Sequence, residues 1–187
     1  MMKNIGFYDN NMIEILKSII GKKFEYIELT NKEKMVSFGN IALNVDGQLI
    51  EISNHEDDKG WDEDYDSAHF ECKIISKYEP TVTKSIVSKL NIQEIIKDVN
   101  IIYDEITNEY YNFNYDMALE IITENHKYLI SRGWFYSEDI SINIDTEFDS
   151  IYPVSKVVDD WNADSDGDYI TKVNRNIINI SERSNIA

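Results

Sequence analysis

The chain has 187 residues, with 18 basic against 35 acidic side chains, a formal charge of -17, and a composition that is 42% hydrophobic and 12% aromatic. That charge argues against direct binding of nucleic-acid phosphates, and the apolar content, with only 2 prolines and 7 glycines, excludes an acidic disordered tail. No apolar run approaches the roughly 18 residues that span a bilayer, and Asp9 and Glu14 fall where a secretory signal needs an unbroken apolar stretch, so a cytoplasmic protein is expected. The single cysteine, Cys72, cannot form an internal disulfide, which agrees with a reducing compartment.

The first predicted element is a helix starting at Asn11. Its side chain offers an acceptor to the first helical amides, Glu14 places an acid in the first turn, and Ile13, Leu16 and Ile20 form one apolar stripe before Gly21. FEYIEL at 24–29 reads as a strand. Ile41, Leu43 and Val45 then alternate, and Asp46-Gly47 signals a tight hairpin turn into the strand LIEIS. Phe70, Cys72 and Ile74 alternate with Glu71 and Lys73 as a half-buried strand, and a helix is expected after Pro80. Asn91, Glu94 and the stripe Ile92, Ile95, Ile96 and Val99 repeat the signals of the first helix. Strands follow at 99–106, at 117–122 with a turn through Glu124 to Lys127 into YLIS, and at Ile140, Ile142 and Ile144. Pro153 precedes a helix at 154–162, and VNRNIINI at 173–180 closes the chain as a strand.

Three short matches recur in register. NMIEILK at 11–17 returns as NIQEIIK at 91–97, ELTN at 28–31 as EITN at 105–108, and Ala42-Leu43 as Ala118-Leu119. Internal similarity of this kind marks a duplicated unit. The fold class expected is therefore α+β, with two tandem repeats of a helix plus antiparallel strands and a C-terminal helix and strand. The repeats would occupy residues 1–84 and 85–187 within one compact unit. Such a pair presents a broad surface more readily than a deep cleft, which favours binding over catalysis.

The best local motif is NADSDGD at 162–168. With Gly167 at the turn, Asn162, Asp164 and Asp166 take the first, third and fifth positions of a calcium loop, and Asp168 adds a carboxylate. Tyr169 and Val173 depart from that loop where an aliphatic residue and a bidentate glutamate belong. A transition-metal set can also be drawn from His55, Asp57, His69 and Cys72, although its spacing matches no closed Cys/His pattern and Cys72 shares the inward face of its strand with Phe70 and Ile74. A Cys72–His126 nucleophilic pair has no oxyanion hole or orienting group marked for it. Arg132, Trp134, Phe135 and Tyr136 lie together as either a hot spot or a core plug. No phosphate-binding, hydrolase or metalloprotease motif occurs, so nothing supports an enzyme.

The acids are unevenly placed. A folded chain of this length exposes on the order of 9,300 Å², and the charge spread evenly would leave only one or two excess negatives in a patch of about 800 Å². Residues 56–66 instead hold Glu56, Asp57, Asp58, Asp62, Glu63, Asp64 and Asp66 against Lys59 alone, with Trp61 among them. A cluster of that kind directs a field that steers a basic partner, whereas the bland alternative is a solvated loop that keeps the chain soluble. The function expected is a non-catalytic acidic inhibitor, of the immunity or anti-defence type, that blocks the basic site of a nuclease or other nucleic-acid-binding protein. Its partner surface would be Asp57, Asp58, Trp61, Asp62, Glu63, Asp64 and Asp66, without direct contact to nucleic acid or membrane and without a cofactor. The alternative is a calcium-binding protein using the loop at 162–168.

Overall fold

The computed structural model describes residues 3–5, 9–62, 65–110, 112–133, 137–163 and 170–182, and the side chains of 3–5, 57–62 and 65–67 lie outside that description. The elements in chain order are β1 (Lys3–Ile5), α1 (Asn10–Ser18), β2 (Lys23–Leu29), β3 (Val36–Phe38), β4 (Asn40–Val45), β5 (Gln48–Asp62), β6 (Tyr65–Ile75), β7 (Ser88–Thr107), β8 (Asn112–Thr123), β9 (Lys127–Arg132), β10 (Asp139–Ile144), α2 (Phe148–Ile151), α3 (Val154–Ala163) and β11 (Lys172–Asn179). The strands form one sheet in the order β3-β10-β9-β8-β7-β2-β4-β5-β6, to which β1 adds at β8 and β11 at β7. Among the described strands only the β1–β8 pairing is parallel.

The expected α+β architecture of two helix-plus-strand repeats is overturned: the described residues form a large, mainly antiparallel sheet with three short helices. The decisive segment is 91–97, which matches the sequence of α1 yet runs in the interior of β7. Phe24 and Tyr26 of β2 stand opposite Glu94 and Asn91 of β7, so two steps on one strand face three on the other. The extra residue is a bulge, and Gln93 takes the positive φ of 68° there. A second irregularity, between Ile96 and Asp98, resets the alternation of β7, so that Leu90, Ile92 and Ile96 before it and Val99 and Ile101 after it all face the inner core, and Ile92, Ile96 and Val99 fall at spacings that imitate a helical stripe. Isoleucine and valine are stiff at χ1 and fit a pleated surface, and paired neighbours on both sides complete the choice of strand.

α1 forms as expected, but its cap is Asp9, whose Oδ1 accepts from the amides of Asn11 at 2.8 Å and Met12 at 3.4 Å. Asn11 lies inside the helix and does not cap it. The hairpin at Asp46-Gly47 is present, with φ of 50° and 75° at the two residues, the pair of left-handed conformations a two-residue turn requires. No helix follows Pro80. Residues 76–87 instead lie irregularly over the outer face of β4, where the Tyr78 hydroxyl donates to the Asn40 carbonyl at 3.0 Å and Asn40 Nδ2 donates to the Glu79 carbonyl at 2.9 Å. Ile74, expected on the inward face of its strand, is 53% exposed.

Although β3 and β4 are far apart in strand order, Gly39 alone separates them in sequence. The sheet therefore curls until β10, paired with β3, comes beside β4. The Gly39 amide donates to the Glu138 carbonyl at 3.0 Å and its carbonyl accepts from Asn54 at 2.7 Å, which fastens the seam. Inside the curl, Leu16 and Ile19 from the α1 region pack with Phe24, Leu43, Ile52, Phe70, Val99, Leu119, Ile130 and Ile140, all buried. On the opposite face α2 and α3 cover a second core in which Phe148, Tyr152 and Val157 meet Ile102, Phe113, Met117 and Leu129. β11 is held by Arg175, whose Nε and Nη2 donate to the two oxygens of buried Asp104 at 2.8 and 2.7 Å while Nη1 reaches the Tyr152 carbonyl at 2.6 Å. Burial pushes the Asp104 carboxyl above its ordinary value and the Arg175 hydrogen bonds pull the other way.

Candidate functional site

The densest acidic run of the sequence folds into the β5–β6 hairpin. β4 accompanies β5 only from Gln48 to Ser53, whereas β5 pairs with β6 from Leu49↔Ile75 to Asp57↔Ser67 and again at Asp62↔Tyr65, with an irregularity between. Asp57, Asp58, Trp61, Asp62 and Asp66 thus lie on strands β5 and β6, Asp57 and Asp62 in register pairs and Asp58, Trp61 and Asp66 in the irregular stretch between them; Glu63 and Asp64 lie outside the described residues, as do the side chains of the other five.

Four hydrogen bonds anchor the base of the hairpin to the curled sheet. Asn54 Nδ2 donates to the carbonyls of Ser137 at 2.7 Å and Asp139 at 3.3 Å. The Ala68 carbonyl on β6 accepts from both the Tyr115 hydroxyl of β8 and Arg132 Nη1 of β9. Arg132 is fully buried, its Nη2 lies 2.8 Å from Asp116 Oδ1, and its guanidinium sits 4.3 Å above the Phe70 ring. Arg132 therefore acts as a clamp within the fold. Trp134, Phe135 and Tyr136, its neighbours in sequence, lie outside the described residues.

Strand alternation divides the hairpin into two faces. Ala68, Phe70 and Cys72 of β6 are buried, and Phe70 and Cys72 join the inner core. His69 and Glu71 point the other way, where His69 pairs across the hairpin with His55. Their rings lie 4.9 Å apart. Glu71 spans them, with Oε1 3.4 Å from His69 Nε2 and Oε2 3.9 Å from His55 Nε2. One ligand atom from each of the three residues falls within 4.8 Å of the others.

The metal set drawn from the sequence is corrected in one member. Cys72 is three residues from His69 and so faces away from the histidines, where its Sγ lies 3.6 Å from the Met12 carbonyl. Burial pushes its thiol up to about 12, which keeps it protonated and unreactive at neutral pH. Glu71, two residues from His69 and on its face, takes that place. Asp57 stands opposite Ser67 in the backbone register, with its side chain outside the described part.

Nor does Cys72 meet His126, which sits at the β8–β9 turn. There Nδ1 lies 2.7 Å from Asp145 Oδ2 and Nε2 lies 3.7 Å from Glu94 Oε1. The hydrogen bond to Asp145 raises the His126 pKa above 6.5, and the same bond lowers that of Asp145 below 3.8. A raised histidine contributes its stability in full below the unfolded value and loses it as pH rises through the folded value; a depressed aspartate contributes above its unfolded value and loses it as pH falls through the folded one. The pair is therefore fully formed between 3.8 and 6.5. In Asp145→Asn, which retains an acceptor for the Lys127 amide now bound at 2.9 Å and tolerates the local φ of 52°, the melting temperature should fall most within that window. The difference from wild type should shrink above it.

The calcium motif falls largely on residues the description does not reach, Asp164, Asp166 and Asp168 among them. Asn162, near the end of α3, accepts at Oδ1 from the Thr171 amide at 3.1 Å, so this oxygen closes the loop onto the chain that leads into β11.

No helix among the described residues is long and apolar enough to cross a membrane. Compared with protein-family models, curated proteins and solved structures, the chain matches none significantly.

Proposed function

We propose that the chain is a non-catalytic binding protein that sets the acidic β5–β6 hairpin into the basic, phosphate-binding site of a nuclease or other nucleic-acid-binding protein and so blocks it, in the manner of immunity and anti-defence inhibitors. The observation that carries this reading is the seating of the run. Seven carboxylates against one lysine lie in residues 56–66, and Glu56, Asp57, Asp58, Asp62 and Asp66 sit on two hydrogen-bonded strands whose base is fixed to the core through Asn54 and Ala68. A loop that must be ordered on contact gives up part of its interaction energy, whereas strands already paired give up less. A groove built to neutralise phosphates offers the complementary charge. Asp57, Asp58, Trp61, Asp62, Glu63, Asp64 and Asp66 form the partner surface in this reading, and the protonated, buried Cys72 suits a reducing cytoplasm.

The test uses two baits side by side in host lysate, wild type and a variant in which Asp57, Asp58 and Asp62 become Asn and Glu63 becomes Gln. The wild-type protein should retain a basic nucleic-acid-binding protein that high salt releases and that competing duplex DNA displaces. The variant should lose it. Equal recovery of the same partner on both baits would refute the hairpin's role.

A further inference from the structure

The inward-pointing pattern of β6 leaves one cluster whose chemistry is distinct from the surrounding acids: two imidazole nitrogens and a carboxylate converging on the outer face of the β5–β6 hairpin. We infer that His55, His69 and Glu71 form a binding site for a late first-row divalent ion, with Zn²⁺ as the representative. The backbone register supplies the arrangement. His55 and His69 are directly opposed across the two strands, and Glu71 follows His69 by two residues on the same face, so all three side chains leave the sheet in one direction.

Bond lengths of about 2.0–2.1 Å to nitrogen and oxygen in a tetrahedral site put neighbouring ligand atoms about 3.3 Å apart. Glu71 Oε1 is 3.4 Å from His69 Nε2, close to such an edge, while its other oxygen, Oε2, is 3.9 Å from His55 Nε2 and one ligand atom from each of the three residues falls within 4.8 Å of the others, so rotation of the His55 and Glu71 side chains suffices to close the set on an ion. His69, whose side chain is 8% exposed, sits on a strand that is hydrogen-bonded to β5 throughout this stretch and provides a fixed ligand. The side chains of His55 and Glu71, 38% and 32% exposed, can close on the ion and leave an open position toward water. Two imidazoles with one carboxylate favour zinc, copper, nickel or iron(II) over calcium and magnesium, which prefer all-oxygen sets. The strongly negative chain adds a favourable field for any cation. The site stands independently of what the acidic end of the hairpin binds.

Isothermal titration of the chelator-treated full chain with Zn²⁺, in excess Mg²⁺ to saturate adventitious carboxylate sites, tests the inference. One Zn²⁺ per chain is expected, and Co²⁺ in its place should give the visible absorption bands of a four- or five-coordinate nitrogen and oxygen site. Because His69 is buried and its replacement risks the fold, the key variant is His55→Gln at a half-exposed position. It should weaken Zn²⁺ binding at least about tenfold, a loss that removal of even an outer-shell partner can produce, and should leave the melting temperature of the metal-free protein unchanged. Glu71→Gln should do likewise. Absence of a one-to-one site in the wild type, or a His55→Gln variant that binds Zn²⁺ as tightly as wild type, would overturn it.

Discussion

Gly39→Ala is expected to lower the stability of the fold by about 3 kcal/mol or more, from two separable causes. The residue joins β3 to β4 at a φ of 76°, and an L-residue held in that left-handed region costs on the order of 1–2 kcal/mol. A Cβ there would also stand 2.5 Å from Thr81 Oγ1, 2.7 Å from its Cβ and 2.9 Å from its Cγ2. Relieving that clash moves the 76–87 segment off Asn40 or shifts the seam itself, and overpacking of this kind costs roughly 1–3 kcal/mol. Gly47→Ala separates the causes, because Gly47 has nearly the same φ of 75° but nothing within 4 Å of an added Cβ. It should lose only the backbone part, about 1 kcal/mol. Urea unfolding of the three proteins gives the comparison, and equal midpoints for Gly39→Ala and wild type would show that the seam tolerates a side chain.

Asp116→Ala is expected to cost about 3–5 kcal/mol, since it leaves the Arg132 guanidinium charged and uncompensated in the interior. Both side chains are fully buried, at 0% exposure, and joined at 2.8 Å. Replacing both partners, as Arg132→Met with Asp116→Ala, should recover part of the loss, because no uncompensated charge then remains at this site. The two single variants and the double variant should therefore be strongly non-additive in equilibrium unfolding. The Arg132 variants carry a second signature. Arg132 Nη1 donates to the Ala68 carbonyl on β6, so amide exchange should quicken at the base of the β5–β6 hairpin while β2 and β4 keep their protection. Additive singles and unchanged exchange at β6 would mean that Arg132 is not the clamp.

Much of the sheet was legible in the sequence wherever one strand kept one parity. Ile41, Leu43 and Val45 ahead of Asp46-Gly47 specify β4, its turn and the start of β5, and Ile140 with Ile142 specifies β10. Legibility failed at β7 because the irregularity between Ile96 and Asp98 shifts parity without a glycine or proline to mark it. The resemblance of residues 91–97 to α1 then looked like a second helix, although only tertiary pairing separates the two fates. At the site, the histidines were visible as flanks of the acidic run, but Cys72 was grouped with them by proximity in sequence. Parity identifies Glu71 instead: on a strand, neighbours at two residues share a face and neighbours at three do not. The pairing of His55 with His69 was hidden, since it depends on a hairpin register that shifts at the irregularity between Asp57 and Asp62.

The claim that the hairpin's carboxylates carry partner recognition is tested most directly by stopped-flow association of the partner recovered from lysate, measured across a series of salt concentrations with wild type and with the variant at Asp57, Asp58, Asp62 and Glu63. Wild type should associate rapidly at low salt and slow steeply as salt rises, while the variant should be slower by about tenfold at low salt and nearly flat. Identical rates and identical salt slopes for the two proteins would contradict the account.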